Sequence, residues 1–380
     1  MTETVFTNAN IVLAESVISG SVLVRDGVIV DISQGDIRAP SALNFDGDLL
    51  IPGLVELHTD ALEGHMTPRP GADWPAVAAV VAHDNQLAGA GITTVLDAIA
   101  LGAVLTTSVR VKRLSEMVES LSTARDAGIL RADHLLHLRC EVTYQDLPEV
   151  FEALSKHEMV RLASLMDHTP GQRQFVNPDK YRQYYQGKYK LSDAEMETFI
   201  EERCRDQVLY GDKHRRIIVD ICQQRGISLA SHDDATKAHV DEALKDGVII
   251  AEFPTTFEAA KASHDNGIKV MMGAPNVVRG GSHSGNISAR DLAGAGVLDI
   301  ISSDYVPSSL LHSAMILEDV IDDIDLPTAV RAVTKNPAEG AGLMDRGEIT
   351  PGRRADLVRV HRSPHHPIVR GVWRQGVRVA

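Results

Sequence analysis

The stretch Val55–Gly71, "VELHTDALEGHMTPRPG", decides how the rest of the chain is read. It closes a continuous apolar run, "LLIPGLVEL", on His58-Thr59-Asp60, then adds Glu63, His65 and the turn "TPRPG". Successive side chains of a strand point to opposite faces, so His58 and Asp60 are expected on one face at a strand end. Two metal-capable groups in that position raise the question of what the other strand ends hold.

The same phrase recurs along the chain: a helical segment, a glycine, an apolar strand, then a polar residue. It is seen in "AGAGITTVLDA" (Gly91 to Asp97), "QQRGISLASHDD" (Gly226 to His232), "HDNGIKVMMGAPN" (Gly267 to Asn276) and "AGAGVLDIISSDY" (Gly296 to Asp304). Glycine just past a helix is the usual left-handed cap. The apolar runs are continuous rather than alternating, as in strands covered on both faces by helices. "LLIPGLVELH", "HLLHLRCEV", "RLASLMDH" and "GVIIAEF" bring the strand candidates to eight. Helical patterns such as "PAVAAVVAHDNQLAGA" and "VKRLSEMVESLSTARDAG" separate them. The pattern predicts an α/β fold, a (β/α)₈ TIM-type barrel, over residues 51–345. A doubly wound open sheet would place a glycine-rich phosphate turn after the first strand, where this chain has His-Thr-Asp.

The two ends read differently, as short strands with tight turns; "RDG" at Arg25–Gly27 is a hairpin signal. Residues 1–50 and 346–380 are expected to meet in one small β-sandwich domain, with the barrel inserted between them. The connection from His168 to Gly226 is far longer than an ordinary barrel loop. Its segment 170–220 is read as a lid over the catalytic face or as a dimer contact. Ser192 with Glu195 in "SDAE" marks a capping box there, and Tyr181, Tyr184, Tyr185 and Tyr189 gather just before it.

Composition bounds the function. In 380 residues, 38 basic against 52 acidic residues leave a net charge of −14, which repels nucleic acid and anionic membranes unless basic residues cluster. The apolar runs are too short for a membrane span, and the N-terminus lacks the pattern of a signal peptide. A cytoplasmic location is expected. Cys140, Cys204 and Cys222 form neither a disulfide framework nor a CxxC zinc pattern.

In a barrel of this kind the C-terminal strand ends converge on one site. Here they read His58 and Asp60, Asp97, Glu141, Asp167-His168, His232, Glu252, Asn276 and Asp304. One histidine alone is more often structural than a ligand; a set of them at strand ends is not. His58, His168 and His232 offer nitrogen, and Asp60, Glu141 and Asp304 offer oxygen. Such a mixed set suits one or two divalent ions, Zn²⁺ first, with Mn²⁺, Fe²⁺ or Co²⁺ as alternatives. Glu141 is the candidate bridge between two ions, and Asp304 the candidate proton acceptor from the attacking water. Asp97 and Glu252 are read as helix caps, or failing that as groups that orient a histidine.

A second group is basic and glycine-rich. "APNVVRGGSHSGN" follows the seventh strand and supplies Arg279, Gly280, Gly281, Ser282 and His283; Arg69 and Arg173 follow other strand ends. Small residues let backbone N–H groups approach an anion, and arginine grips phosphate bidentately. With His65 they are the candidate substrate-binding residues.

Taken together, "IPGLVELHTD", the ladder of strand-end ligands ending in "SSDY", and the closing "GEITPGRRADLV" resemble the amidohydrolase superfamily across almost the whole chain. "LMDHTPGQRQF", "ASHDD" and "MGAPNVVRGGSHSGN" resemble its branch in the carbon–phosphorus lyase pathway of phosphonate use. That resemblance implies hydrolysis of a ribose 1-methylphosphonate 5-triphosphate to the 5-phosphate and pyrophosphate. It also implies the barrel, the small β-domain and a divalent-metal site on His58, Asp60, Glu141, His168, His232 and Asp304. The superfamily's usual first-strand pair is His-x-His, and His58-Thr59-Asp60 matches this branch instead. Ala61 and Gly64 stand where the branch is expected to show an amide and a cation.

The expected partner is a small phosphorylated substrate, with neither nucleic acid nor membrane; a homodimer and contacts with other phosphonate-pathway enzymes are left open. Two alternatives compete: a hydrolase of C–N bonds, such as a deacetylase or cyclic amidase, and a metal-free scaffold. The arginine–glycine cluster argues against the first, and six intact ligand positions against the second.

Overall fold

The computed structural model describes residues 2–102, 109–173, 178–282 and 285–380. Among these, sixteen strands form two sheets of eight. The chain divides into two compact units. The first comprises Met1–Asp97, Val118–Leu135 and Met272–Ala380; the second comprises Ala98–Met117 and Leu136–Met271.

The N-terminal segment opens the first sheet. Strands β1 (Glu3–Val12), β2 (Val17–Arg25) and β3 (Val28–Gln34) pair antiparallel. Asp26 and Gly27 between β2 and β3 both have positive φ, 49° and 82°, the conformation a tight hairpin turn demands. β4 (Leu43–Asn44) and β5 (Leu49–Pro52) then run parallel to β1.

The second sheet is the parallel barrel. Its strands are β6 (Leu54–Thr59), β7 (Ile92–Leu101), β8 (Asp133–Glu141), β9 (Val160–Met166), β10 (Ser228–His232), β11 (Ile250–Glu252), β12 (Lys269–Gly273) and β13 (Ile300–Ser302). They neighbour one another in chain order, as right-handed strand–helix units require. A parallel bridge between Thr59 and Asp304 links the first strand end to the last. β6 and β7 are buried at every residue, which is why their sequences show no alternation. The helix-capping glycines read from the sequence, Gly91, Gly226, Gly267 and Gly296, all have positive φ.

One expected strand is two. "LLIPGLVELH" breaks at Gly53: β5 belongs to the terminal sheet and β6 to the barrel. A Cβ at Gly53 would lie 2.1 Å from Thr93 Oγ1, so only glycine lets the chain pass from one sheet to the other here. The terminal sheet therefore runs to Pro52, past the boundary expected at residue 50.

β14 (Leu357–His361), β15 (Ile368–Arg374) and β16 (Val377–Arg378) complete the first sheet, with β14 antiparallel to β5. Phe6, Phe45 and Trp373 form its aromatic centre, with ring centroids 5.1–5.7 Å apart. Asp48 fastens the two chain ends, accepting from Arg359 Nε at 2.6 Å, His361 Nδ1 at 2.9 Å and Arg370 Nη1 at 3.1 Å. His361 thus has a structural role.

The long connection between β9 and β10 is mostly helical. Helix Pro178–Tyr189 leads into helix Asp193–Arg225, which starts at the expected capping box of Ser192 and Glu195. Tyr181, Tyr185, Met196 and Phe199 are buried together, with Tyr189 packed against them. These tyrosines form a small core of the insertion. The Tyr184 side chain lies outside what the structure describes.

Candidate functional site

In the first unit, β6 and β13 end side by side. His58 is buried at the end of β6, Asp60 follows it, and Asp304 follows β13. The strand-alternation argument stops one residue short. β6 ends at Thr59, and Asp60 (φ −103°, ψ 15°) is the N-cap of helix Ala61–Met66. Its position is set by the strand-to-helix turn. Asp304 has φ 56°, a left-handed backbone that costs a non-glycine residue free energy and gathers at functional sites. Its carboxylate lies over Gly273, 3.6 Å from where a Cβ there would sit.

Glu56, which the sequence reading passed over, is fully buried among these groups. Its Oε1 accepts His58 N–H at 2.7 Å and lies 2.7 Å from Ser302 Oγ; its Oε2 accepts Ser303 N–H at 2.5 Å. Burial pushes the Glu56 carboxyl up, against these donors. The available signal was a lone acid inside an apolar run two residues before a histidine.

In the second unit, Glu141, His168 and His232 stand at the ends of β8, β9 and β10. His168 Nδ1 donates to Glu141 Oε2 at 2.6 Å, and Thr143 Oγ1 donates to Glu141 Oε1 at 2.9 Å. Burial opposes charge on both members of the pair, and their attraction outweighs it: Glu141 is held below its ordinary value and His168 above. His232 Nδ1 donates to Glu252 Oε2 at 3.0 Å, which turns Nε2 the other way, 3.4 Å from Asp233 Oδ2. Glu252 Oε1 also lies 3.6 Å from His137 Nε2. Glu252 is therefore a histidine-orienting carboxylate, not a helix cap.

His168, His232 and Asp233 each place one ligand atom within 4.8 Å of the others. That donor set, two imidazoles and a carboxylate with outer carboxylates holding the rings, fits a divalent ion such as zinc. Asp233, at φ 58°, is an addition to the sequence-derived set. The second aspartate of "HDD", Asp234, has another task. It binds Arg173, which also donates to Glu242 at 2.9 Å. Arg173, expected at a positive mouth, is only 4 % exposed and held between two acids.

Asp97 in the first unit belongs to a separate network. It accepts His83 Nε2 and His134 Nδ1, each at 2.7 Å, and His134 Nε2 lies 3.2 Å from Asp84 Oδ1. All four are buried. Burial opposes the His134 charge, but the two aspartates win and lift it to about 9. Asp97 is likewise held low and His83 lowered by burial. Asp97 is thus neither a cap nor a partner of the candidate ligands by these bonds.

The remaining candidates sit at surfaces and turns. His65 Nε2 donates to Gln86 Oε1 at 2.9 Å. Arg69 is exposed in a turn bridged to Ala72, and Arg279 is exposed at the end of helix Ala274–Arg279. Gly280 caps that helix at φ 79° and is exposed, and Gly281 and Ser282 follow, both half-buried. His283 lies outside the described residues. Asn276, read as a strand-end group, lies on that helix. It pins the following loop through Ile287 O at 3.1 Å and Ala289 N at 3.0 Å.

Comparison with known proteins agrees with this architecture. Residues 206–379 match the model of the amidohydrolase family. The α-D-ribose 1-methylphosphonate 5-triphosphate diphosphatase of Escherichia coli is 50% identical over 99% of this chain and 100% of its own. Among solved structures, N-acetylglucosamine-6-phosphate deacetylase from Pasteurella multocida superposes with a TM-score of 0.66 at 13% identity, covering 99% of each chain. N-isopropylammelide isopropylaminohydrolase from Burkholderia multivorans gives 0.65 at 16% identity, over 100% of this chain and 98% of its own. These two share the fold. With identity of that extent to the diphosphatase, the chain belongs to the amidohydrolase family.

Proposed function

We propose that this chain removes pyrophosphate from α-D-ribose 1-methylphosphonate 5-triphosphate, leaving the 5-phosphate. The observation that supports it best is the 50% identity to the diphosphatase over that protein's full length. In the first unit we assign His58, Asp60 and Asp304 as metal ligands; in the second, Glu141, His168 and His232, with Asp233 beside them. Zn²⁺ is the ion expected from such nitrogen and oxygen donors. A divalent ion bound there supplies Lewis acidity toward phosphoryl oxygens and makes water a stronger acid.

The chain's own groups divide the remaining work. Asp304 accepts the proton of the attacking water. Glu141 and Glu252 fix the rings of His168 and His232 through their Nδ1 atoms, leaving Nε2 of each as the donor atom. Arg69, Arg279 and the backbone of Gly280 to Ser282, with His65, bind the polyphosphate and offset the chain's overall negative charge. Arg173 acts at one remove, by holding Asp234 next to Asp233.

The test is pyrophosphate release from the ribose methylphosphonate triphosphate, beside a nucleoside triphosphate control, with metal content measured on the same sample. Release from the first substrate, abolished by chelation and by His58→Ala, is the expected result. Bound metal without release would move the assignment to another substrate, phosphorylated or amide. Neither metal nor release would leave a scaffold.

A further inference from the structure

Glu56 has no part in the roles assigned so far, yet its surroundings are unusual for a strand interior. It is 0% exposed, between Val55 and Leu57, which are buried apolar residues of the same strand. A carboxylate there loses its hydration and persists only if fully hydrogen-bonded. Its donors come from the backbone or side chain of residues at or beside the two strand ends that present His58 and Asp304. Oε1 takes His58 N–H, Oε2 takes Ser303 N–H, and Ser302 Oγ lies 2.7 Å from both Oε1 and the His58 carbonyl. Ser302 Oγ in turn accepts Asp304 N–H at 3.3 Å. Asp304 needs such support, because its left-handed backbone at φ 56° is unfavourable for an aspartate.

We propose that Glu56 is a positioning residue that clamps the ends of β6 and β13, and so sets the spacing of His58 and Asp304 for a divalent ion. This rests on the ligand assignment above. A residue needed only to fill the core would be apolar, like its neighbours. A carboxylate is the one side chain of this size that accepts at both oxygens, and both strand ends offer N–H donors. The clamp crosses the seam where the barrel's first and last strands meet, the Thr59–Asp304 bridge being its nearest backbone link.

Glu56→Gln tests this with almost no change in volume. One oxygen still accepts, while the new amide N–H₂ faces a backbone N–H and opens one arm of the clamp. Ser302→Ala removes the hydroxyl that joins the arms and leaves Glu56 in place. For each variant, Zn²⁺ affinity is measured by competition with a chromogenic chelator, and the melting temperature is measured on metal-stripped protein. Positioning predicts Zn²⁺ binding weaker by about tenfold or more, with a smaller loss in Ser302→Ala and a lower kcat at nearly unchanged KM. A purely structural role would lower the stripped melting temperature and leave the affinity of the folded protein as it was; that result overturns the proposal. If Glu56→Gln fails to fold, unchanged affinity in Ser302→Ala overturns it equally. If the unsubstituted protein binds no divalent ion, the ligand assignment falls first and the clamp falls with it.

Discussion

At the scale of single residues, the buried carboxylates carry the argument, because each must have a reason to be out of water. Glu252 is fully buried and holds His232. Glu252→Gln should weaken metal binding and turnover by about 10- to 100-fold, as loss of a ring-orienting carboxylate does elsewhere; a metal titration beside a rate measurement checks it. His134 makes a different prediction. Its ordinary value of 6.5 is raised to about 9 against burial, by Asp97 and Asp84. A raised histidine contributes stability that is complete below its unfolded value and lost as pH climbs through the folded one. The protein should therefore lose stability as pH rises through about 9. His134→Asn should cost roughly 3–5 kcal/mol at slightly acid pH, as breaking a buried pair does, with the gap to the unsubstituted protein narrowing as pH rises from 6.5 to about 9. Urea unfolding at both pH values reads this directly. Gly64 is the reverse case, exposed and with nothing within 4 Å of an added Cβ. Gly64→Lys should leave stability within about 0.5 kcal/mol. If that helix faces the triphosphate, KM should fall with kcat unchanged; an unchanged KM would place the substrate elsewhere.

At the scale of elements, the passage from β5 to β6 is a tight joint. Gly53→Ala would drive a Cβ to 2.1 Å from Thr93 Oγ1 and 2.7 Å from its Cγ2. Overpacking of this kind costs about 1–3 kcal/mol, and adding Thr93→Ala should recover part of it by removing both of those atoms. Thermal melts of the three variants make the cycle. The insertion between β9 and β10 was legible as an excursion, and its capping box was legible to the residue. What the tyrosines do was not, since their clustering with Met196 and Phe199 depends on two helices folding against each other. Tyr181 is fully buried there. Tyr181→Ala should open the insertion to limited proteolysis between residues 178 and 200 while leaving the barrel's melt nearly unchanged; a lid function would add a raised KM.

At the scale of the whole molecule, an acidic chain is proposed to take a polyanion. The net charge of −14 works against approach, so exposed arginines such as Arg69 and Arg279 must reverse the field locally. Charge-reversing Arg279→Glu should lower kcat/KM mainly through KM and weaken its fall with added salt, read in a rate series over ionic strength. The sequence by itself determined the parallel barrel, its eight strands, the glycine caps and the strand ends that hold His58, Glu141, His168, His232 and Asp304. Those features are written in neighbouring residues: continuous apolar runs, a glycine after several of the helices, a polar residue at or just past several of the strand ends. Only the tertiary structure decided that Arg173 is buried between acids, that Asp97 serves His83 and His134, that Glu252 holds His232, and that Glu56 ties together the first and last strands. The physical reason is distance along the chain. Glu56 meets Ser302 across 246 residues, and Arg173 meets Asp234 across 61; no local period records such pairs. Which buried charge answers which is settled when the barrel closes.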